Sequence, residues 1–366
     1  MSLARRNLFQ DKTRLTLSVS GVALAIMLML LLNGLLGGMY TQIGAYLNHS
    51  PGRLIVAQKG VRNLLGATSL LPPDTAERVR ADPGVAREIP IVSQFVILDL
   101  HGRKQPTYMI GYDPAQGGGP WRLAAGRAPL TDSEVVFDRV LAQRHNISLG
   151  ASVPIMGRDF RVTGLSDGTT SWMTSFFFVR KSAAEALLRA PGATSFLLVT
   201  PRDGVATAEL RDRLNALPGV EATLKADMMA NDVTLLARFF SMPLQLMVTI
   251  AFLVGALVVG LVSYTATIER RKEYGVLKAI GAPNRRLYVV VLTQALITAL
   301  AGATMGIALA FAVAQVIMAL RPQFLVALTP LIVAQSASAT LLMALLAALF
   351  PARLLARLAP AEAFRR

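Results

Sequence analysis

The residue patterns that could support catalysis or metal binding are few. The segment 164–168, GLSDG, fits the G-x-S-x-G pattern, but a nucleophile elbow requires a helix directly after its serine. Residues 169–179 are instead a Thr- and Phe-rich run that is typical of a strand. The chain contains no cysteine, and its three histidines are too scattered to predict a metal site: His49, His101 and His145. We therefore expect neither an enzyme nor a cofactor.

A charged and apolar cluster between positions 266 and 286 favours protein docking instead. As a helix, this segment would place its charges on one side and its apolar residues on the other. The apolar side would consist of Ile268, Tyr274, Leu277 and Ile280. The candidate coupling residues are Arg271, Glu273, Tyr274, Gly275, Leu277, Lys278, Ile280 and Gly281. The plainer interpretation is a basic loop that only fixes the membrane topology.

An aromatic run, WMTSFFFV at positions 172–179, allows two interpretations. Its composition is typical of a buried strand. It could also form a hydrophobic patch that faces an apolar substrate or a partner protein. The patch residues would then be Trp172, Phe176 and Phe178.

Four apolar stretches are long enough to position these segments in a membrane. A bilayer core about 30 Å thick requires about 20 apolar residues in a helix, and the chain is 53% hydrophobic with only 16% charged residues. The predicted order is the following: 1–40 cytoplasmic N-terminus and first span, 41–237 extracytoplasmic domain, 238–265 second span, 266–286 cytoplasmic coupling loop, 287–320 third span, 321–330 short outer loop, 331–350 fourth span, 351–366 cytoplasmic tail. Pro351 is expected to end the fourth helix. A cleaved signal peptide is the alternative to a first span, although the apolar run is longer than the hydrophobic region of an ordinary signal peptide.

Basic residues mark one side of the membrane. Residues 1–14, 266–286 and the segment after Phe350 contain 14 Lys or Arg and four acidic residues, in a chain whose formal net charge is +15. An even number of spans puts all three segments on one side, which the positive-inside rule assigns to the cytoplasm. We predict a multi-pass protein of the cell inner membrane with both termini in the cytoplasm. The lipid membrane accounts for the charge, and nucleic acid is not expected as a partner.

The spans themselves contain no ionisable residue in their interiors. Ion-coupled carriers place such residues near the membrane midplane, and channels need a polar lining, so both classes are disfavoured. Two GxxxG pairs have the spacing of close helix contacts, within the chain or between two copies. These pairs are Gly34 with Gly38 and Gly302 with Gly306.

The segment between the first two spans has the character of a folded soluble domain. Residues 91–100 and 160–165 read as strands. Helices are expected at 74–80, 181–189 and 206–216. The fold class is therefore membrane α-helical, with four transmembrane helices and an α+β two-lobed extracytoplasmic domain.

Two segments of the sequence resemble the signatures of a known family. Residues 271–282, RKEYGVLKAIGA, look like the R-x-E-[IY]-G-[VI]-L-[RK]-A-[LI]-G-A signature of FtsX-like, MacB-type ABC transporter permeases, the type VII or mechanotransmission family. Residues 351–363, PARLLARLAPAEA, are similar to the family's closing P-A-x-x-A-x-x-x-P-x-E-A-L element. In the large domain, four segments occur in the order seen in the family's MacB-like periplasmic core domain. They are residues 123–127, 132–136, 149–150 and 160–164. Gln294 and Ala359 stand where many members of the family have Glu and Asp. Any role that these acidic residues have in the family is therefore not assigned to this chain.

The resemblance implies a dimer of permease chains, as a homodimer or a heterodimer, served by two copies of a cytosolic ATP-binding subunit. The sequence has no G-x-x-x-x-G-K-[ST] motif, so ATP hydrolysis is expected on that separate subunit. Closure of the ATPase would move the helices and reshape the outer domain. The expected function is export or extraction of a hydrophobic or amphipathic substrate, such as a lipid, glycolipid, lipopeptide or drug, with a periplasmic adaptor or membrane fusion protein as a further partner.

Three other functions remain open. The resemblance also allows an FtsX-like regulatory scaffold that activates an extracytoplasmic cell-wall hydrolase. A sensor of antimicrobial peptides is less favoured, because such permeases usually carry more spans. A membrane-bound enzyme is least favoured, because no set of base, nucleophile or metal ligands is found.

Overall fold

The computed structural model describes residues 12–171, 174–269 and 271–357, in two compact units. The membrane unit comprises the described residues of Met1–Gly38, Phe240–Arg321 and Val326–Arg366. The large domain comprises those of Met39–Phe239 together with Pro322–Leu325. The helices are α1 Lys12–Ile43, α2 Ala45–His49, α3 Thr75–Ala81, α4 Arg139–Arg144, α5 Lys181–Leu188, α6 Thr207–Asn215, α7 Lys225–Glu269, α8 Arg271–Ala279, α9 Asn284–Leu320 and α10 Pro330–Arg357. The strands are β1 Leu54–Gln58, β2 Val85–Leu100, β3 Arg103–Tyr112, β4 Leu123–Gly126, β5 Glu134–Asp138, β6 Ser152–Ile155, β7 Arg158–Ser166, β8 Ser175–Arg180, β9 Phe196–Pro201 and β10 Val220–Leu224.

Four of the described helices are long and apolar enough to cross a membrane. Their spanning parts are Leu15–Ile43, Arg238–Glu269, Asn284–Leu320 and Pro330–Leu349. Within the membrane unit, α1 supplies much of the shared core, to which α7, α9 and α10 also contribute. This core includes Val22, Ile26, Met29, Leu30, Ala251, Val259, Ala310, Met343 and Ala347.

The expectation that Pro351 ends the fourth helix is wrong, because α10 continues to Arg357. Pro243 likewise lies inside α7. A proline within a helix removes one backbone hydrogen bond, but membrane helices tolerate the loss when neighbouring groups compensate for it.

The large domain contains one mixed sheet with two separate apolar cores. We define lobe A as residues 54–91 and 196–224 and lobe B as residues 92–195. The core of lobe A includes Leu54, Val56, Val79, Leu197 and Leu210. The core of lobe B includes Val92, Met109, Phe137, Val162 and Phe177. The fold class is therefore confirmed: membrane helices accompany a two-lobed α/β domain.

A single long strand, β2, runs through both lobes. Its first half pairs antiparallel with β9 of lobe A, and the last pair of that ladder joins Ile91 to Phe196. Its second half pairs antiparallel with β3 of lobe B. The predicted strand at 91–100 is thus the second half of a 16-residue element. The predicted helices at 74–80, 181–189 and 206–216 correspond to α3, α5 and α6.

One face of the sheet in lobe B is aromatic, and it lies opposite the core of lobe B. The register aligns Phe95 with Tyr108 and Tyr108 with Phe176, so these side chains project from the same face. Tyr46 of α2 stacks on Phe176, with ring centroids 5.6 Å apart, and donates its hydroxyl hydrogen to Gly118 O at 2.7 Å. Burial of a ring such as that of Phe176 contributes about 1.5–3 kcal/mol.

This arrangement corrects the proposed aromatic surface patch. Phe176 and Phe178 are fully buried within β8, so the strand interpretation is the one that the structure supports. Their rings lie 6.3 Å apart and pack among other aromatic side chains of the domain. Trp172, the third residue of the proposed patch, lies outside the described residues.

Candidate functional site

The short helix α8 is anchored to the membrane unit through Tyr274. This side chain is 3% exposed and packs in a cluster with residues of α9 and α10. The cluster contains Leu287, Val291, Ala295 and Ala348, with Leu277 of α8 packed against it. Helix α8 therefore has a buried side that packs against two spanning helices.

The end of α8 is fixed by a Schellman motif. Ala282 N donates to Leu277 O at 2.9 Å, and Gly281 N donates to Lys278 O at 3.0 Å. Gly281 has φ +92, in the left-handed region that favours glycine at this position. The motif ends α8 sharply and leads through Pro283 into α9.

The opposite side of α8 is exposed and partly apolar. Val276 is 45% exposed and Ile280, four residues later, is 76% exposed. The sequence grouped Ile280 with Tyr274 and Leu277 on one side of a helix, but the helix ends at Ala279, and Ile280 is exposed whereas Tyr274 is buried. The charged residues Lys272 and Glu273 are also exposed, whereas Gly275 is buried. The side chain of Arg271 lies outside the described residues.

Gly302 and Gly306 lie where α9 approaches α1 of the same chain. A Cβ atom on Gly302 would lie 2.5 Å from Val22 Cβ, and one on Gly306 would lie 2.6 Å from Ala23 O. In the other pair, a Cβ on Gly34 would lie 2.8 Å from Val326 Cγ1, and Gly38 is buried. Three of these four glycines thus occupy contacts within one chain that leave no space for a side chain.

The residues of the G-x-S-x-G segment have a structural role. Ser166 ends β7, is fully buried, and shares a hydrogen-bond network with Thr169 and Asp138. Asp138 also caps α4 by accepting from Leu141 N at 2.8 Å. The described residues directly after Ser166 form no helix, and the described part of the chain contains no group of His, Cys, Asp or Glu able to hold a metal ion.

Sequence reasoning missed a buried carboxylate near the start of α7. Asp232 is fully buried, and its Oδ1 accepts from Leu65 N at 2.9 Å. Its Oδ2 has no hydrogen-bond partner in the described part of the chain. Burial raises the pKa of Asp232 to about 7, although the hydrogen bond from Leu65 opposes the shift. A single Asp in an ordinary helical pattern gives no signal of such burial.

Comparison with known families divides the chain into two parts. The MacB-like periplasmic core domain matches residues 15–217, and the FtsX-like permease C-terminal domain matches residues 246–360. An uncharacterized ABC transporter permease of Mycobacterium tuberculosis strain H37Rv is 26% identical over 311 residues, which is 84% of each chain. One from Mycobacterium bovis is also 26% identical over 311 residues, 83% of each chain. The macrolide export ATP-binding/permease protein MacB of Chromobacterium violaceum is 28% identical over 144 residues, 39% of this chain and 22% of MacB.

Two solved structures are similar to the large domain. The periplasmic region of MacB from Actinobacillus actinomycetemcomitans is matched with a TM-score of 0.38 and 17% identity, over 50% of this chain and 94% of that one. The extracellular domain of the noncanonic ABC-type transporter YknZ from Gram-positive bacteria is matched with a TM-score of 0.34 and 12% identity. The match covers 47% of this chain and 98% of the YknZ domain.

Proposed function

Because this chain belongs to the family of MacB-like and FtsX-like ABC transporter permeases, we propose that it couples ATP hydrolysis on a separate cytosolic subunit to export or extraction of a hydrophobic or amphipathic substrate. An ABC transporter permease requires an ATP-binding partner. The proposal adds mechanotransmission, in which two ATPase copies drive two permease chains, and a periplasmic adaptor that receives the substrate.

The observation that carries the proposal is the two-sided character of α8. Tyr274 joins the helix to α9 and α10, while Val276 and Ile280 present apolar side chains on its surface. Apolar anchors within a charged rim are typical of protein interfaces. A subunit bound at this surface would act on the spanning helices through α8.

The distribution of charge supports the orientation. The segments 1–14, 266–286 and 351–366 are rich in Lys and Arg, and by the positive-inside rule this composition favours a cytoplasmic location for α8 and both termini. The large domain then lies outside the cytoplasm. This orientation presents α8 to a cytosolic ATPase.

The composition of the spans and the name of one relative support a hydrophobic or amphipathic substrate. The spans offer no ionisable residue in their interiors for ion coupling, so the energy must come from a partner. MacB of Chromobacterium violaceum is named for macrolide export, and macrolides are largely apolar molecules with polar groups. We extend that chemical class, rather than that substrate, to this chain.

The docking step is tested by introducing a charge at the exposed apolar surface of α8. Ile280→Asp should reduce copurification with the ATP-binding subunit at least tenfold and abolish the rise in ATPase rate that an amphipathic substrate produces in proteoliposomes. A buried charge without a partner in an interface is strongly unfavourable. Leu130→Asp is the matched control, because Leu130 is 64% exposed in the large domain and should leave binding unchanged.

Unchanged copurification and ATPase rates with Ile280→Asp would contradict the role of α8. A complex that binds and activates an extracytoplasmic cell-wall hydrolase, and shows no substrate-dependent ATPase rate, would identify the scaffold function instead. Both results are obtained from the same reconstituted preparation.

A further inference from the structure

A cleft opens on the aromatic face of lobe B, at the pair formed by Phe95 and Tyr108. Its volume is about 300 Å³, and Phe95 remains 44% exposed at its edge. The two rings meet edge to face, with centroids 5.3 Å apart. The cleft is lined by Leu64, Gly66, Ala67, Thr68, Ser93, Phe95 and Tyr108. None of these side chains carries a charge at neutral pH, so the cleft suits an uncharged group.

A second, smaller cavity adjoins the same pair of rings. Its volume is about 100 Å³, and Phe95, Tyr108 and Phe176 contribute to its walls. Its other lining consists of four apolar residues, Met39, Ile43, Leu65 and Leu236, and three polar ones, Gln42, Ser171 and Thr174. Phe95 and Tyr108 thus form part of the wall of both spaces.

Ser93 provides a polar group that protein contacts leave unused. It is buried, and its Oγ has no hydrogen-bond partner in the described residues. Strand alternation places its side chain on the same face as Phe95, and Ser93 lines the larger cleft. A buried hydroxyl without a partner is unfavourable by about 1–3 kcal/mol. A ligand carbonyl that accepted its hydrogen would remove this cost.

One wall of the cleft is held by α7. We call residues 63–68 the strap. Asp232 of α7 accepts from Leu65 N of the strap, and Asn231 Nδ2 donates to Arg62 O just before it at 3.0 Å. A movement of this part of α7 would therefore move the strap relative to Phe95 and Tyr108.

We propose that the cleft between the strap and the Phe95–Tyr108 pair binds the acyl chain of an uncharged amphiphile, with the Ser93 hydroxyl donating to its ester or amide carbonyl. The apolar lining, the adjoining cavity and the unpartnered hydroxyl together match a carbonyl followed by a hydrocarbon chain. The inference rests on the proposed function, because it names a site and a chemical class for the amphipathic substrate. Ser93 thus acts as a binding residue of the large domain.

The probe that tests the site is a monoacylglycerol with a photoreactive diazirine in its acyl chain. The full-length chain is reconstituted in nanodiscs with its ATP-binding subunit, labelled, and mapped by mass spectrometry. Saturable labelling is expected within residues 64–68 and 93–97. Unlabelled monodecanoylglycerol should compete, whereas decylammonium, which is charged, should not.

Two variants separate binding from folding. Ser93→Ala should weaken the apparent affinity about three- to tenfold, the value of one hydrogen bond, without lowering the unfolding temperature of the empty protein. Ala67→Trp should fill the cleft and abolish the labelling. Leu149→Ala is the control for a substitution elsewhere in the large domain, because Leu149 does not line the cleft and should leave the labelling unchanged.

Labelling that does not saturate, or that Ser93→Ala and Ala67→Trp leave unchanged, would overturn the site and indicate a cleft filled by water. If an amphiphile raised the ATPase rate while the cleft stayed unlabelled, the inference would fail and the proposed function would stand. If labelling were saturable and sensitive to both variants but no amphiphile changed the ATPase rate, the site would stand and the proposed transport would fail.

Discussion

At the scale of single residues, Asp232 makes the stability of the large domain depend on pH. The pKa of Asp232 is raised in the folded protein from its ordinary value of 3.8 to about 7. The folded state therefore binds a proton more tightly than the unfolded state, and stability falls as pH rises from about 4 through 7. Tyr108 is the nearby titratable group, and its pKa is raised to about 12 by burial and by Asp232, so it stays protonated in this range.

We predict that Asp232→Asn removes this pH dependence. The amide keeps an oxygen that can accept from Leu65 N and never carries the charge. The variant should match the wild-type unfolding temperature near pH 4 and exceed it at pH 8, by roughly 2–4 °C for each kcal/mol recovered. Thermal unfolding at a series of pH values checks this, with Asp212→Asn as the exposed control. Parallel curves for wild type and Asp232→Asn would refute the prediction.

Several residue-level features could not be read from the sequence. All four residues of the run Phe176 to Val179 are apolar, so periodicity could not separate a buried strand from a surface patch. The exposure of Ile280 depends on where the Schellman motif turns the chain. Ser93 and Asp232 have ordinary sequence neighbours, and only tertiary packing buries them.

At the scale of elements, the contact between α9 and α1 depends on the absence of side chains. Gly306→Ala should destabilise the membrane unit by about 1–3 kcal/mol, because its Cβ would lie 2.6 Å from the backbone oxygen of Ala23 and the helices would have to move apart. Gly260→Ala is the matched control, since its Cβ would meet nothing closer than 3.9 Å. The unfolding temperature in detergent distinguishes them. Equal values for both variants would show that the contact tolerates a methyl group.

If α8 couples the ATP-binding subunit to the spanning helices, we expect a break in this helix to uncouple ATP hydrolysis from transport. Gly275→Pro lies in its middle, where proline removes a backbone hydrogen bond and clashes with the preceding turn, at a cost of about 3 kcal/mol. We predict normal membrane insertion and ATP hydrolysis that no longer drives transport. Transport and ATPase rates in proteoliposomes measure the coupling, with the exposed Lys272→Ala as control. Full transport by Gly275→Pro would contradict the role assigned to α8.

The elements that sequence patterns predicted well are the long apolar spans and the helices at 74–80, 181–189 and 206–216. Secondary structure is predicted most reliably for long apolar or periodic segments, because many residues contribute to the pattern of each segment. The end of α10 was predicted wrongly because we expected Pro351 to end the helix, as proline often does in soluble proteins. The first half of β2 was missed because its pairing with β9 joins residues over a hundred positions apart, which local patterns do not record.

At the scale of the whole molecule, the orientation in the membrane can be tested directly because the chain contains no cysteine. We predict that Asp212→Cys reacts with a membrane-impermeant maleimide in spheroplasts, whereas Lys272→Cys reacts only after permeabilisation. Both positions are exposed, so protection must come from the membrane. Labelling of Lys272→Cys in intact spheroplasts would reverse the topology.

The ladder between β2 and β9 makes lobe B a single insertion between two paired strands of lobe A. Lobe B is one uninterrupted stretch of chain, and its two ends, next to Ile91 and Phe196, meet at a single antiparallel pair. A two-residue hairpin turn such as Asn-Gly could join the two strands there and leave the core of lobe A complete. An exchange of lobe B between relatives at this junction would keep the strands and the apolar core of lobe A.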